Sequence, residues 1–95
     1  MTMSSAIELI AAERQRQIDV ELFHASHDDL HNCGGELLDA AIQYATTHMG
    51  AQSPCRRGWP WHHRWWKPSD DQVRNLVKAA ALIAAEIDRL QRLKP

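Results

Sequence analysis

Apolar residues recur at helical spacing in three separate stretches of the chain. In the first stretch a row of residues lies three and four positions apart, at Ile7, Ile10, Ala11, Arg14, Ile18 and Leu22. Residues at these intervals share one face of an α-helix. Ser5 and Glu8 have the spacing of a capping box, in which each side chain binds the other residue's backbone N–H. The pattern therefore predicts a first helix from about residue 6 to about residue 22.

A second helix is predicted from about residue 35 to 49, after a polar stretch covering 24–35. The Gly34-Gly35 pair precedes it and Gly50 ends it. Its apolar positions are Leu37, Leu38, Ala41, Ile42, Tyr44, Ala45 and Met49.

The third helix is predicted from about residue 69 to 93, with Ser69 and Gln72 as a second capping box. We expect it to bury one apolar stripe, formed by Val73, Leu76, Val77, Ala80, Ile83, Ala84, Ile87 and Leu90. A second face of small residues contains the alanines at 79–81 and 84–85. Close helix packing explains this face, or it forms a seam between copies in a homo-oligomer.

These elements predict an all-α fold, because no stretch shows the alternation of β-branched residues that is typical of strands. Ninety-five residues suffice for one domain. We expect a small three-helix bundle in a single domain spanning residues 1–95. Residues 50–68 would form a Trp-rich connecting loop between the second and third helices.

Charge and composition narrow the range of functions. Eleven Lys and Arg against twelve Asp and Glu give a formal net charge of −1, which does not favour extended nucleic-acid binding or an anionic membrane. The sequence has no membrane-length apolar run, and residues 1–5 lack the features of a secretory signal, so we expect a cytoplasmic protein. Cys33 and Cys55 could pair, remain free thiols or bind a metal; a reducing compartment favours free thiols.

All four tryptophans fall in the predicted loop, at Trp59, Trp61, Trp65 and Trp66. From residue 56 to residue 67 the loop has four cations and no acid; its charged and imidazole residues are Arg56, Arg57, His62, His63, Arg64 and Lys67. Indoles stack on bases and arginines bind phosphates, so the composition is typical of a surface that binds a nucleotide or a partner protein. We also expect at least two indoles to fold back and cap the open end of the bundle.

Acidic and imidazole residues are concentrated before and within the second helix. Asp28, Asp29, Glu36 and Asp39 could bind magnesium or manganese through oxygen ligands. His27 and His31, with Cys33, are a second candidate set for a zinc-like metal. A third interpretation is a loop in which these side chains bind the backbone.

Arg14 lies on the face of the first helix that the pattern predicts to be buried. A buried guanidinium needs a carboxylate partner. The candidate partners are Asp28, Asp29, Glu36 and Asp39. Arg14 would then be a structural link between helices or a clamp for a ligand.

A set of short motifs lies in order along almost the whole chain: Glu13-Arg14-Gln15-Arg16-Gln17, His27-Asp28-Asp29-Leu30-His31, Gly35-Glu36-Leu37, Ala40-Ala41, Tyr44, Trp59-Pro60-Trp61, Trp65-Trp66-Lys67-Pro68 and Asn75-Leu76-Val77-Lys78-Ala79. This ordered set resembles a family of short uncharacterised proteins of tailed phages and prophages. This chain has Leu22-Phe23 where members tend to have Gly-Trp. The resemblance implies a phage accessory gene and names no activity.

A weaker likeness, through residues 36–39 and Tyr44, is to the all-α MazG-type nucleoside triphosphate pyrophosphohydrolases. It implies a magnesium-dependent enzyme with a Glu-rich motif on an earlier helix. The first helix here offers Glu8, Glu13 and Glu21.

Two functional hypotheses follow. In the first, the protein is a phage accessory protein that binds a host protein or a nucleotide, as an anti-defence inhibitor or a nucleotide sponge. Its binding residues would be Arg14, Arg57, Trp59, Trp61, His63, Arg64, Trp65, Trp66 and Lys67. The alternative is a magnesium-dependent MazG-like hydrolase that uses Asp28, Asp29, Glu36 and Asp39.

Overall fold

The computed structural model of the protein describes residues 4–21, 25–47 and 59–93. Four α-helices and one 3-10 turn lie within these ranges, and the described residues contain no strand. The helices are α1 (Ala6–Asp19), α2 (Ala25–His31), α3 (Glu36–Ala45) and α4 (Gln72–Arg92), and the 3-10 turn is His63–Trp65. The predicted all-α helical bundle is confirmed. Leu22, Met49 and the part of the predicted loop before Trp59 lie outside the described residues.

α2 is the element that the pattern did not predict, because its sequence is almost entirely polar. A helix of seven residues is too short to be stable alone. The buried Asp28 lies 3.9 Å from the Arg14 guanidinium of α1, and Asp29 accepts hydrogen bonds from Arg92 of α4 at 2.8 and 3.1 Å. Contacts distant in sequence therefore turn a polar stretch into a helix.

The helix starts follow local side-chain chemistry. Ser5 and Glu8 form the predicted capping box, with the Ser5 Oγ accepting from the Glu8 N–H at 3.2 Å. The predicted box of Ser69 and Gln72 is wrong, because Asp71 caps α4 by accepting from the Val73 N–H at 3.0 Å. The Ser69 hydroxyl does not cap the helix; it accepts a hydrogen bond from the Asp71 N–H instead.

α3 begins at a glycine that the backbone geometry requires. Gly35 precedes the helix with a φ of 94°, a left-handed conformation that strains residues with a Cβ. This residue turns the chain from α2 into α3, so that α3 can lie against α4.

α4 is the central helix, and α1 and α3 both pack against it. The buried core lies between α3 and α4. It consists of Leu37, Ala40, Ala41, Tyr44, Ala79, Leu82 and Ala85, with Trp59, Trp61 and Trp66 packed against it.

The face of α4 that packs inward is the alanine face, and this corrects the prediction. Of the expected apolar stripe only Val77 is buried; Val73, Leu76, Ile83, Ile87 and Leu90 are 42–57% exposed. Alanine carries no side chain beyond Cβ, so α3 and the indoles can approach the α4 backbone closely. The alanine face is therefore used for packing within the chain, and it is not available as a seam between copies.

α1 also presents a different face from the one predicted. Glu13 and Gln17 are buried, whereas Ile7 is 75% exposed and Ala11 is exposed. The residues at Ile10, Arg14 and Ile18 are half-buried. The buried polar residues face α4, because Glu13 binds Arg74 and Gln17 donates to the Lys78 carbonyl oxygen at 3.5 Å.

No helix within the described ranges is long and apolar enough to cross a membrane.

The burial of the inward alanine face predicts that enlarging a buried alanine lowers stability more than enlarging an exposed one. Ala85→Leu should lower the free energy of unfolding by about 1–3 kcal/mol, because the fully buried Ala85 has no room for a larger side chain. Ala11→Leu, at an exposed position of α1, should change it by about 0.5 kcal/mol or less. Urea unfolding followed by circular dichroism measures both. Equal losses in the two variants would show that the inward face has been misassigned.

Candidate functional site

Residues 59–69, here called the Trp segment, turn three of their four indoles towards the core. Trp59 meets Tyr44 edge to face, with ring centroids 5.5 Å apart, and meets Trp61 in the same way at 5.3 Å. Trp66 lies 4.8 Å from Tyr44. The two contacts of Trp59 are edge to face, a favourable arrangement of aromatic rings. The expectation that at least two indoles cap the bundle is confirmed.

Hydrogen bonds to α3 and α4 fix the far end of the Trp segment. The Lys67 N–H donates to the Tyr44 hydroxyl at 3.3 Å, and the Lys78 ammonium donates to the Lys67 carbonyl oxygen at 2.6 Å. The Asn75 side chain binds the backbone of Ser69 twice, at 2.7 and 2.8 Å. The segment is thus a fixed part of the domain.

Trp65 is the most exposed of the four indoles, at 42%. The Arg64 guanidinium carbon lies 5.2 Å from its ring centroid and the Lys67 ammonium nitrogen lies 5.7 Å away. The 3-10 turn His63–Trp65 sets this geometry, and His62 stabilises the turn by accepting from the Arg64 N–H at 3.2 Å. A cationic surface therefore surrounds an accessible ring.

A cleft of about 320 Å³ lies between α2 and the Trp segment. Its walls are rich in flat rings; the lining residues are Glu21, His27, His31, Asn32, Trp61, His62 and Trp65. A single turn of α2 separates His27 from His31, and their ring centroids are 4.9 Å apart. Pockets for small ligands begin at roughly 300 Å³, so the cleft can take one small aromatic molecule.

Asn32 joins the two walls of the cleft. Its amide oxygen accepts from the Trp61 Nε1–H at 3.0 Å, and its amide nitrogen donates to Asp28 at 2.9 Å. The residue is 1% exposed. This buried amide holds Trp61 at a fixed position relative to α2, and the sequence carried no signal for it.

The four candidate magnesium or manganese ligands, Asp28, Asp29, Glu36 and Asp39, have separate surroundings in the structure. Asp28 is buried beside Asn32 and Arg14, and its burial raises its pKa although both neighbours oppose the change. Asp29 pairs with Arg92, and Glu36 accepts from the Gly34 N–H at 2.7 Å. Asp39 is half-buried on α3.

Within the described ranges, no three His, Cys, Asp or Glu side chains are grouped so that they could hold a metal ion. The structure therefore does not bring together the predicted magnesium or manganese set, Asp28, Asp29, Glu36 and Asp39. It does not form the zinc-like set of His27, His31 and Cys33 either; Cys33 is an exposed thiol. The two imidazoles line the aromatic cleft instead.

Arg14 lies at the junction of α1, α2 and α4. Its guanidinium is 3.9 Å from Asp28 and 3.8 Å from Asp88. The prediction that a carboxylate from the acidic stretch pairs with Arg14 is confirmed. The link between helices is the role that the geometry supports, since Arg14 does not line the cleft.

Beside the Trp segment lies an ion cluster centred on the buried Glu13 carboxylate. Its other members are the buried Gln17 and the half-exposed Arg16 and Arg74. The Glu13 carboxylate accepts two bonds from Arg16 at 2.8 Å, one from Gln17 at 3.2 Å and one from Arg74 at 2.5 Å. Burial alone raises the pKa of Glu13, but the bonds and charges of the two arginines outweigh it, so the pKa lies below its ordinary value of 4.5. The cluster ties α1 to α4.

The remaining predicted residues are placed as follows. His63 is exposed, with its ring 4.3 Å from that of His62. Arg57, with Arg56 and Cys55, lies outside the described residues.

Comparison with known proteins adds no family to this description: no protein-family model, curated protein or solved structure matches the chain. The fold and site define a small all-α protein with an aromatic cleft and a cationic rim.

The ion cluster predicts a loss of stability that depends on pH. Glu13→Gln should lower the free energy of unfolding at pH 7 by about 1–3 kcal/mol, because two guanidiniums lose their carboxylate and their partial exposure to solvent reduces the loss. The lowered pKa means that this contribution is fully present above pH 4.5 and disappears as the pH falls further and Glu13 becomes protonated.

The control for this variant is Asp19→Asn, an exposed change on the same helix, which should change stability by about 0.5 kcal/mol or less. Thermal or urea unfolding at several pH values measures both variants. A Glu13→Gln loss that does not shrink below pH 4.5 would contradict the account of the cluster.

Proposed function

We propose that the protein binds a nucleotide in the aromatic cleft between α2 and the Trp segment. The observation that supports this is a cleft of about 320 Å³ that is lined both by imidazoles from α2 and by indoles from the Trp segment. A base is flat and has a π-face on both sides, so it can stack on Trp61 or Trp65 while His27 and His31 contact its edge or other face.

The rim of the cleft supports a phosphate-bearing ligand over a neutral aromatic one. Arg64 and Lys67 lie over Trp65, which itself lines the cleft, so a base stacked there would have its phosphate close to both cations. Arginine binds phosphate oxygens in a two-point manner and lysine acts as a point charge. The volume is at the small end for ligand pockets and favours a mononucleotide.

The biological role we propose is sequestration without turnover. In a phage accessory protein, as the motif resemblance suggests, a cleft that holds a nucleotide would serve as a sponge for a signal used in host defence. The second candidate is docking on a host protein, which the exposed Trp65 beside Arg64 supports, since these residue types dominate binding hot spots.

The hydrolase alternative has less support. Metal-assisted pyrophosphate release requires carboxylates that converge on the ion. The described residues offer no such group, because Asp28 and Asp29 are committed to Arg14, Asn32 and Arg92.

The test of the proposal compares nucleotides with their nucleosides by titration calorimetry. Trp65→Ala should weaken binding of both by about 10- to 100-fold, because a stacked base contributes roughly 1–3 kcal/mol. The double variant Arg64→Ala/Lys67→Ala should weaken nucleotide binding and leave nucleoside binding nearly unchanged. Circular dichroism checks that each variant keeps its helices.

The outcomes separate the two candidates. Unchanged nucleotide affinity in Trp65→Ala and in the double variant would exclude the cleft as the nucleotide site. Capture of a host protein that is lost in Trp65→Ala, with no nucleotide affinity in the parent, would support docking instead. Triphosphates incubated with the protein and magnesium or manganese should be recovered intact, and released pyrophosphate would contradict sequestration without turnover.

A further inference from the structure

The outer face of α4 has an apolar pattern that its own fold does not use. The stripe consists of Val73, Leu76, Ala80, Ile83, Ile87 and Leu90. Successive members alternate between three and four residues apart, which is the a and d pattern of a heptad repeat. Every large aliphatic in it is at least 42% exposed.

The stripe is on the side of α4 opposite to the core. Ala81, Leu82 and Ala85 pack inward against α3 and the indoles, and one helical residue turns by about 100° from the next, so the two faces point in nearly opposite directions. The helix has 21 residues and is roughly 31 Å long. Three consecutive heptads of aliphatic side chains are thus left open to solvent, a patch that is typical of an interaction surface.

We infer that α4 is the interface of a homodimer, in which the stripes of two copies pack antiparallel to each other. A two-fold axis near residues 81 and 82 would pair Val73 with Leu90, Leu76 with Ile87, and Ala80 with Ile83. Each layer then combines a smaller or β-branched side chain with a large one, so the stripe is complementary to itself, as a two-fold interface requires.

The helix dipole favours a second copy in the antiparallel orientation. Arg92, in the last turn of α4, pairs with Asp29 of α2 and is therefore engaged within its own chain. Antiparallel pairing places the positive N-terminal end of one α4 beside the negative C-terminal end of the other, whereas parallel pairing would bring like ends of the two dipoles together. This inference is independent of the nucleotide proposal, since none of the stripe residues lines the cleft.

The first experiment measures mass in solution by sedimentation velocity and light scattering. The wild-type protein should sediment as a dimer. Ile83→Glu, at the centre of the stripe, should reduce the mass to that of a monomer while circular dichroism remains helical. The matched control is Ile7→Glu, which changes a residue that is 75% exposed on α1 and should leave the dimer intact.

The second experiment measures orientation with a nitroxide label at position 73, introduced as Val73→Cys with Cys33 and Cys55 replaced by Ser. An antiparallel dimer places the two labels about 25 Å apart, because each one lies beside residue 90 of the other copy. A parallel dimer would place them about 10 Å apart.

A monomeric wild-type protein, or an Ile83→Glu variant that remains dimeric, would overturn the interface. The short label distance would overturn its antiparallel arrangement. Loss of the dimer in Ile7→Glu but not in Ile83→Glu would place the interface on α1.

Discussion

Alanine occupies the inner face of α4 where the neighbouring elements meet it, and this constrains the rest of the molecule. Ala79 and Ala85 supply little volume, so the core must be filled from the opposite side. α3 contributes Leu37 and Tyr44, and the Trp segment contributes three indoles. Three aromatic residues of the connection are therefore needed structurally, and Trp65 is the indole left most exposed for contact with a ligand or partner.

Polar interactions position α1 and α2, which contribute no residue to the buried apolar core. The buried Glu13 carboxylate of α1 pairs with Arg74 of α4, and α2 is held by Asp28, Asp29 and the adjoining Asn32. Such bonds are directional, so they set the position of each helix more narrowly than apolar contact does. That precision matters for the cleft, because the Asn32 side chain joins the elements that form its two walls.

Because the core uses the alanine face of α4 and three of the indoles, two surfaces of different chemistry are left unfilled. The cleft is small, aromatic and cationic at its rim, which suits a charged ligand of nucleotide size. The outer face of α4 is long, aliphatic and regularly spaced, which suits another helix. A dimer formed through α4 would leave both clefts open, so the two proposed interactions are compatible.

The local sequence pattern was enough to determine the helical class, the three long helices and the Ser5 cap, because each depends on residues within about one helical turn. It also showed that Arg14 needs a carboxylate, because burying an unpaired guanidinium has a general cost in free energy. The choice between two apolar faces of α4 was decided only by the tertiary structure. Periodicity marks both faces, and the volume brought by α3 and the indoles selects the alanine side. Glu13 and Arg74 are 61 positions apart, and the cleft joins α2 to Trp61 and Trp65, so neither arrangement has a signal in the local sequence.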